Sequence, residues 1–178
     1  MIVNVAQLLK SDLGTLRQYD FDEWVAPFSE DVEMAGPVVG KVELSRTNRG
    51  IFGRARFTTS VRLECSRCLE LYVENLPIQF DEEYFPVVDV NTGLPVRIPH
   101  DSFAYTINER HELDLGPAVR EYGLLASPMK PLCRVDCAGL CPECGVNRNL
   151  EPCTCVVERR DGRFAALQKL LVEKFENN

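Results

Sequence analysis

From Gly53 to Glu64, apolar and polar residues alternate without interruption. Ala55, Phe57, Thr59, Val61 and Leu63 take one side, and Arg54, Arg56, Thr58, Ser60, Arg62 and Glu64 take the other. Successive side chains of an extended strand point to opposite faces, so the pattern predicts a half-buried β-strand. Leu16 to Phe21 alternates in the same way. Val38, Gly40, Val42 and Leu44 mark one side of another strand, and Thr47-Asn48-Arg49-Gly50 supplies the turn after it. A further strand carries Leu76, Ile78, Phe80 and Tyr84 on its apolar side. Helical periods are fewer. Val5 to Lys10 predicts a short helix with Asn4 as its cap and Gly14 beyond its end. Asp114 is placed to cap a helix through Val119, Tyr122 and Leu125, with Pro117 in its first turn and Pro128 and Pro131 ending it. Asp161 to Phe175 predicts an amphipathic helix, with Phe164, Leu167, Leu170, Leu171 and Phe175 on one face. Pro86 to Pro99 reads as a loop, and Phe103 to Ile107 as a short strand.

Cysteine changes this picture more than any other residue type. The chain has 178 residues and 8 cysteines, six of them between Cys133 and Cys155. They read Cys133-x3-Cys137-x3-Cys141-Pro-Glu-Cys144-Gly and Cys153-Thr-Cys155, with Cys65-Ser-Arg-Cys68 at the end of the alternating strand. Thiolates two to four residues apart can curl round one tetrahedral ion, so these pairs are candidate zinc ligands in one or two sites. One assignment joins Cys141/Cys144 to Cys153/Cys155 and leaves Cys65/Cys68 for Cys133/Cys137. The other puts Cys133, Cys137, Cys141 and Cys144 on one ion. Either way every ligand position is sulfur, which marks a structural and not a hydrolytic site. The expected fold class is α+β: a mostly antiparallel β core with a few helices and a Cys-rich zinc-binding C-terminal lobe. Residues 1–126 form the β-rich core domain with the Cys65/Cys68 knuckle. Residues 127–178 form the Cys-rich lobe and C-terminal helix, the whole packed as one compact unit.

The N-terminal residues Met1 to Lys10 have no basic start and no unbroken apolar run, and no other run approaches a membrane span. A cytoplasmic location is therefore expected, where paired cysteines bind metal more often than they oxidise. Net charge is −7 at pH 7, which argues against indiscriminate nucleic-acid binding. The charge is unevenly distributed. Lys41 to Cys68 holds seven basic residues against Glu43 and Glu64, a local +5 that leaves −12 elsewhere. Arg46, Arg49, Arg54, Arg56 and Arg62 are thus candidate RNA-phosphate contacts, against the plainer reading of a solvated sheet face. Catalytic signals are weak. His100 and His111 have no evident acid or nucleophile partner, and there is no phosphate-cradling glycine loop and no serine elbow. Cys65-Ser-Arg-Cys68 has the spacing of a redox dithiol, but its surroundings read as antiparallel strands. No enzymatic activity and no small-molecule substrate are expected.

These blocks together resemble the YceD family, the large-subunit ribosomal RNA accumulation proteins. The resemblance is carried by Val5-Ala-Gln-Leu-Leu9, Glu64-Cys-Ser-Arg-Cys-Leu-Glu70, Leu113-Asp-Leu115, Arg120-Glu121 and Pro128-Met-Lys-Pro-Leu-Cys133. It continues in Cys137-Ala-Gly-Leu-Cys-Pro-Glu-Cys-Gly145, Asn147, Asn149 and Asp161-Gly-Arg163. Gly123 to Ser127 departs from the more apolar helix end expected there. The resemblance implies a non-catalytic factor for accumulation or processing of large-subunit (23S) rRNA and ribosome assembly. Its implied partners are pre-ribosomal rRNA or a ribosomal protein, with L32 suggested by the family's gene association. A zinc-stabilised adaptor without RNA contact, and a thiol redox enzyme, are the alternatives.

Overall fold

A computed structural model describes residues 1–30, 32–98 and 104–155. Ten elements follow in chain order: β1 (Ile2–Asn4), α1 (Ala6–Leu9), β2 (Leu16–Glu23), β3 (Glu33–Met34), β4 (Val38–Arg46), β5 (Ile51–Glu64), β6 (Leu71–Pro86), β7 (Tyr105–Ile107), β8 (Glu112–Asp114) and α2 (Gly116–Ala126). The strands form one sheet in the order β1-β8-β7-β6-β5-β4-β2, with β3 pairing beside β4 on the same strand, β5. All pairings are antiparallel except β6 with β7. Among the described residues the structure has mostly strands, two short helices and two cysteine groups, which is the expected α+β class with its Cys-rich C-terminal region.

The alternation of β5 sets the layering. Ala55, Phe57, Thr59, Val61 and Leu63 are buried, while Arg54, Arg56, Thr58, Arg62 and Glu64 are exposed. Thr59 is the buried polar exception, and its hydroxyl donates to the Gly36 carbonyl at 3.1 Å. Phe57 anchors the inner face, edge-on to Phe21 at 6.0 Å and tilted against Phe80 at 6.3 Å. α2 lies over β6 through Tyr122, stacked on Phe80 at 5.1 Å with its hydroxyl on the Glu82 carboxylate. Tyr105 on β7 reaches Glu121 in the same manner. Gly123 is needed for this packing, because a Cβ there would stand 2.6 Å from the Phe28 ring.

The structure refines several sequence expectations. α1 is a single turn whose cap position is Val5, although Asn4 Oδ1 accepts from the Ala6 N–H as a capping side chain would. α2 begins after Leu115, not Asp114. Asp114 ends β8, and its carboxylate takes the Gly116 N–H at 2.8 Å. β1, β3 and β8 were not legible as strands; each is three residues or fewer and borrows its pairing from longer or distant segments. The Pro86–Pro99 loop is partly tied by a Val88–Pro95 bridge and by Asp89, whose carboxylate collects the Asn91 and Thr92 N–H groups. The helix expected over Asp161–Phe175 lies outside the described residues, as does His100. No described helix is long and apolar enough to cross a membrane. Among the described residues two compact units emerge: Met1–Ser66 with Glu70–Cys133, and Arg67–Leu69 with residues 134–155.

Candidate metal centres

Strands β5 and β6 pair from Ile51↔Tyr84 to Glu64↔Leu71, so the hairpin closes through the six residues 65–70. The turn is fixed by the Cys65 N–H donating to the Glu70 carbonyl at 3.0 Å and the Ser66 N–H donating to Pro131 at 2.9 Å. Leu69 takes the left-handed conformation, φ 61°, at the end of the knuckle. A second knuckle forms at Cys141-Pro-Glu-Cys144-Gly145. The Gly145 N–H returns to the Cys141 carbonyl and the Cys141 N–H to Val146, both at 2.9 Å, with Gly145 at φ 74°. A residue with a Cβ pays a steric penalty in that conformation, which explains glycine after the pair.

Eight sulfurs fall into two groups of four: Cys65, Cys68, Cys133 and Cys137, and Cys141, Cys144, Cys153 and Cys155. Within each group the sulfurs lie within 4.8 Å of one another. This is the grouping that leaves no pair stranded, not the contiguous one. A tetrahedron with metal–sulfur bonds of about 2.3 Å has edges of about 3.8 Å. Cys153 Sγ lies 3.3 Å from Cys141 Sγ and 3.6 Å from Cys144 Sγ, close to that edge. The donor sets therefore fit a metal ion.

Hydrogen bonds to sulfur reinforce the fit. Asn149 Nδ2 donates to Cys137 Sγ at 3.3 Å, while Asn149 Oδ1 takes the Ala138 N–H at 2.8 Å and an Arg134 guanidinium N–H at 2.6 Å. In the other group the Cys155 N–H points at Cys153 Sγ, 3.4 Å away. Backbone N–H groups of Cys144 and Glu143, with the Cys153 side chain, hold the Cys141 thiol down to about 6. Cys153 and Cys155 shift the other way, upward. Hydrogen bonding to Cys153 and Cys144 pushes Cys155 up to about 12. Four thiolates this close repel one another, and a divalent cation is what lets all four ionise. The sequence reading named Asn149 only as part of the family resemblance and gave it no supporting role; its signal was the Asn147-Arg-Asn149 stretch between the third and fourth cysteine pairs.

The family model for the large ribosomal RNA subunit accumulation protein YceD matches residues 53–171, two thirds of the chain and all eight cysteines. The chain belongs to the YceD family. Among curated proteins it is similar to the uncharacterized protein Rv2926c of Mycobacterium tuberculosis, 33% identical over 108 residues, covering 61% of this chain and 49% of the relative. It is also similar to the uncharacterized protein ML1660 of Mycobacterium leprae, 22% identical over 122 residues, covering 68% and 54%. The chain spans about half the length of the curated relatives it matches. No solved structure matches it.

The arginine face of this YceD-family chain differs from what the linear charge suggested. Arg46 is turned into backbone, donating to the carbonyls of Leu9 at 3.0 Å, Gly50 at 2.8 Å, and Thr47. Arg49 pairs with Glu83 and lies over the Phe85 ring at 5.5 Å. Arg54 and Arg56 share Asp81 at 3.5 and 3.1 Å, and Arg62 takes both Glu33 oxygens at 3.1 Å. Register explains the pattern: Arg54 stands between Glu43 and Asp81, Lys41 between Asp20 and Arg56, and Arg62 opposite Glu33. Neighbouring strands answer the basic segment with carboxylates. On the same face a cavity of about 530 Å³ is lined by Val39, Lys41, Arg56, Phe57, Pro77 and Gln79, among others.

Proposed function

We propose that this protein is a non-catalytic, cytoplasmic factor for large-subunit rRNA accumulation whose two sulfur groups each hold a structural zinc ion. Cys65, Cys68, Cys133 and Cys137 are the ligands of one ion, and Cys141, Cys144, Cys153 and Cys155 those of the other. The observation that carries this reading is the pair of four-sulfur groups inside the segment matching the family model. All-sulfur donor sets favour zinc or iron over magnesium or calcium, and four sulfurs leave no position for a reacting water. The ions would fix the knuckles as rigid loops that present the β core and the Cys-rich lobe, residues 1–126 and 127–178, to a partner.

That partner is a ribosomal protein in preference to bare RNA. Carboxylates bond Arg49, Arg54, Arg56 and Arg62, and Arg46 is committed to carbonyls, so phosphate would first have to displace existing partners. A charge-balanced face with a cavity partly floored by Val39, Phe57 and Pro77 suits a protein surface better. The chain's net charge of −7 complements a basic ribosomal protein, with L32 the candidate from the family's association. Direct rRNA contact through the same arginines is the competing route. Metal content of freshly purified, reduced protein tests the first claim: two zincs per chain are expected, and none would end it. Salt titration tests the second. Binding to purified ribosomal protein that survives without RNA supports it; binding to rRNA alone with a log–log salt slope near −0.7 per phosphate contact would reverse it.

A further inference from the structure

The two sulfur groups differ in what solvent can reach. Cys144 and Cys155 are exposed and Cys153 is half-buried, whereas Cys65, Cys68 and Cys137 are buried and Cys133 half-buried. Cys144 Sγ lies 3.6 Å from Cys153 Sγ, nine positions further along the chain. Cys155 is also exposed, but bridging it to Cys153 would close a ring across one residue. We infer that Cys144 and Cys153 form a peroxide-sensitive pair, an oxidative modification site that dismantles the second sulfur group while sparing the first.

The chemistry balances with hydrogen peroxide as oxidant. The exposed Cys144 thiolate attacks the peroxide O–O bond, becoming a sulfenic acid and releasing hydroxide. The Cys153 thiolate then attacks the sulfenic sulfur, forming the S–S bond and expelling a second hydroxide. Two protons from solvent convert both hydroxides to water. Two electrons leave the pair of sulfurs and reduce the two peroxide oxygens. Cys141 and Cys155 remain, too few donors to close a four-sulfur shell. The first group has no exposed sulfur for the opening step: Cys65, Cys68 and Cys137 are buried and Cys133 is half-buried.

The inference rests on the zinc reading, so the metal content of the reduced full-length chain is measured first and judges that reading alone. Hydrogen peroxide is then added, with released zinc followed by a colorimetric chelator and disulfides mapped by peptide mass. The expected result is release of one of the two ions, a Cys144–Cys153 bridge, and recovery with a thiol reductant plus zinc. Cys144→Ser should abolish the bridge. If that variant fails to fold, the disulfide map of the unaltered chain still decides. Loss of both ions together, a bridge that includes Cys65, Cys68, Cys133 or Cys137, or no Cys144–Cys153 bridge would each overturn the proposal. If the chain carries no zinc, the same map still judges the thiol pair.

Discussion

The two sulfur groups share a donor set and differ in surroundings. Around Cys65, Cys68 and Cys137 solvent is excluded, and Asn149 supports Cys137 from the side. Around Cys144 and Cys155 solvent is admitted, and the support comes from local backbone N–H groups. Donor chemistry alone makes both groups equal candidates for the same ion. Burial separates them, because exchange and oxidation require a ligand or oxidant to reach sulfur, and because an ionised thiolate shielded from water costs more free energy to leave uncompensated than an exposed one.

Removing one ligand from each group should break the symmetry most strongly. A structural zinc site of this kind contributes on the order of 10–16 kcal/mol of apparent binding energy, much of it coupled to folding. Cys68→Ser is expected to lose one ion and to lower the thermal midpoint steeply. Cys144→Ser is expected to lose the other ion with a smaller shift. Metal analysis paired with thermal denaturation measures both, and equal shifts would show that burial does not rank the two groups.

A core substitution asks whether the sheet and the first group stand together. Phe57 is buried between Phe21 and Phe80 on the inner face. Phe57→Ala should cost about 3–5 kcal/mol in chemical denaturation through lost transfer energy and a cavity. Retention of both ions at ambient temperature is the expected companion result. Loss of an ion on this change alone would mean the sulfur groups depend on the sheet more than their local turns indicate.

Asn149→Ala targets one group without touching a ligand. It removes the amide bonded to Cys137 Sγ and frees the Ala138 N–H and Arg134. Outer-shell losses of this kind weaken metal binding roughly 10–100-fold. Competition with a chelator should show that weakening for one ion and leave the other unchanged. A uniform effect on both would remove Asn149 from its assigned role.

The contrast between the groups was only half legible in the sequence. Spacing disclosed the knuckles, since Cys65-x2-Cys68 and Cys141-x2-Cys144 each form a local turn. Which pairs share a group depends on chain return over 65 or more residues, which spacing leaves open between two assignments. The long strands were legible because β5 alternates along its whole length and one face is buried. β1, β3 and β8 were not, because their pairing comes from partners elsewhere in the chain. Charge was incompletely legible for the same reason. The +5 of Lys41–Cys68 is a property of the segment, whereas Glu33, Asp81 and Glu83 reach the same face from β3 and β6.

Exposure should discount ion pairs as it discounts the second sulfur group, and Arg62 offers the mildest test. Its guanidinium meets both Glu33 oxygens at 3.1 Å, yet the two side chains are 45% and 65% exposed. Exposed pairs typically contribute about 0.2–1 kcal/mol and are screened by salt. Arg62→Ala should therefore lower the unfolding free energy by less than about 1 kcal/mol, with the difference shrinking as salt rises. Both ions should be retained. A larger, salt-insensitive loss would mean that β3 is held on β5 by this pair and not by its two register contacts, Glu33↔Arg62 and Met34↔Val61. Solvent access would then be a poor guide to strength on this face, and the ranking of the sulfur groups by the same criterion would weaken with it.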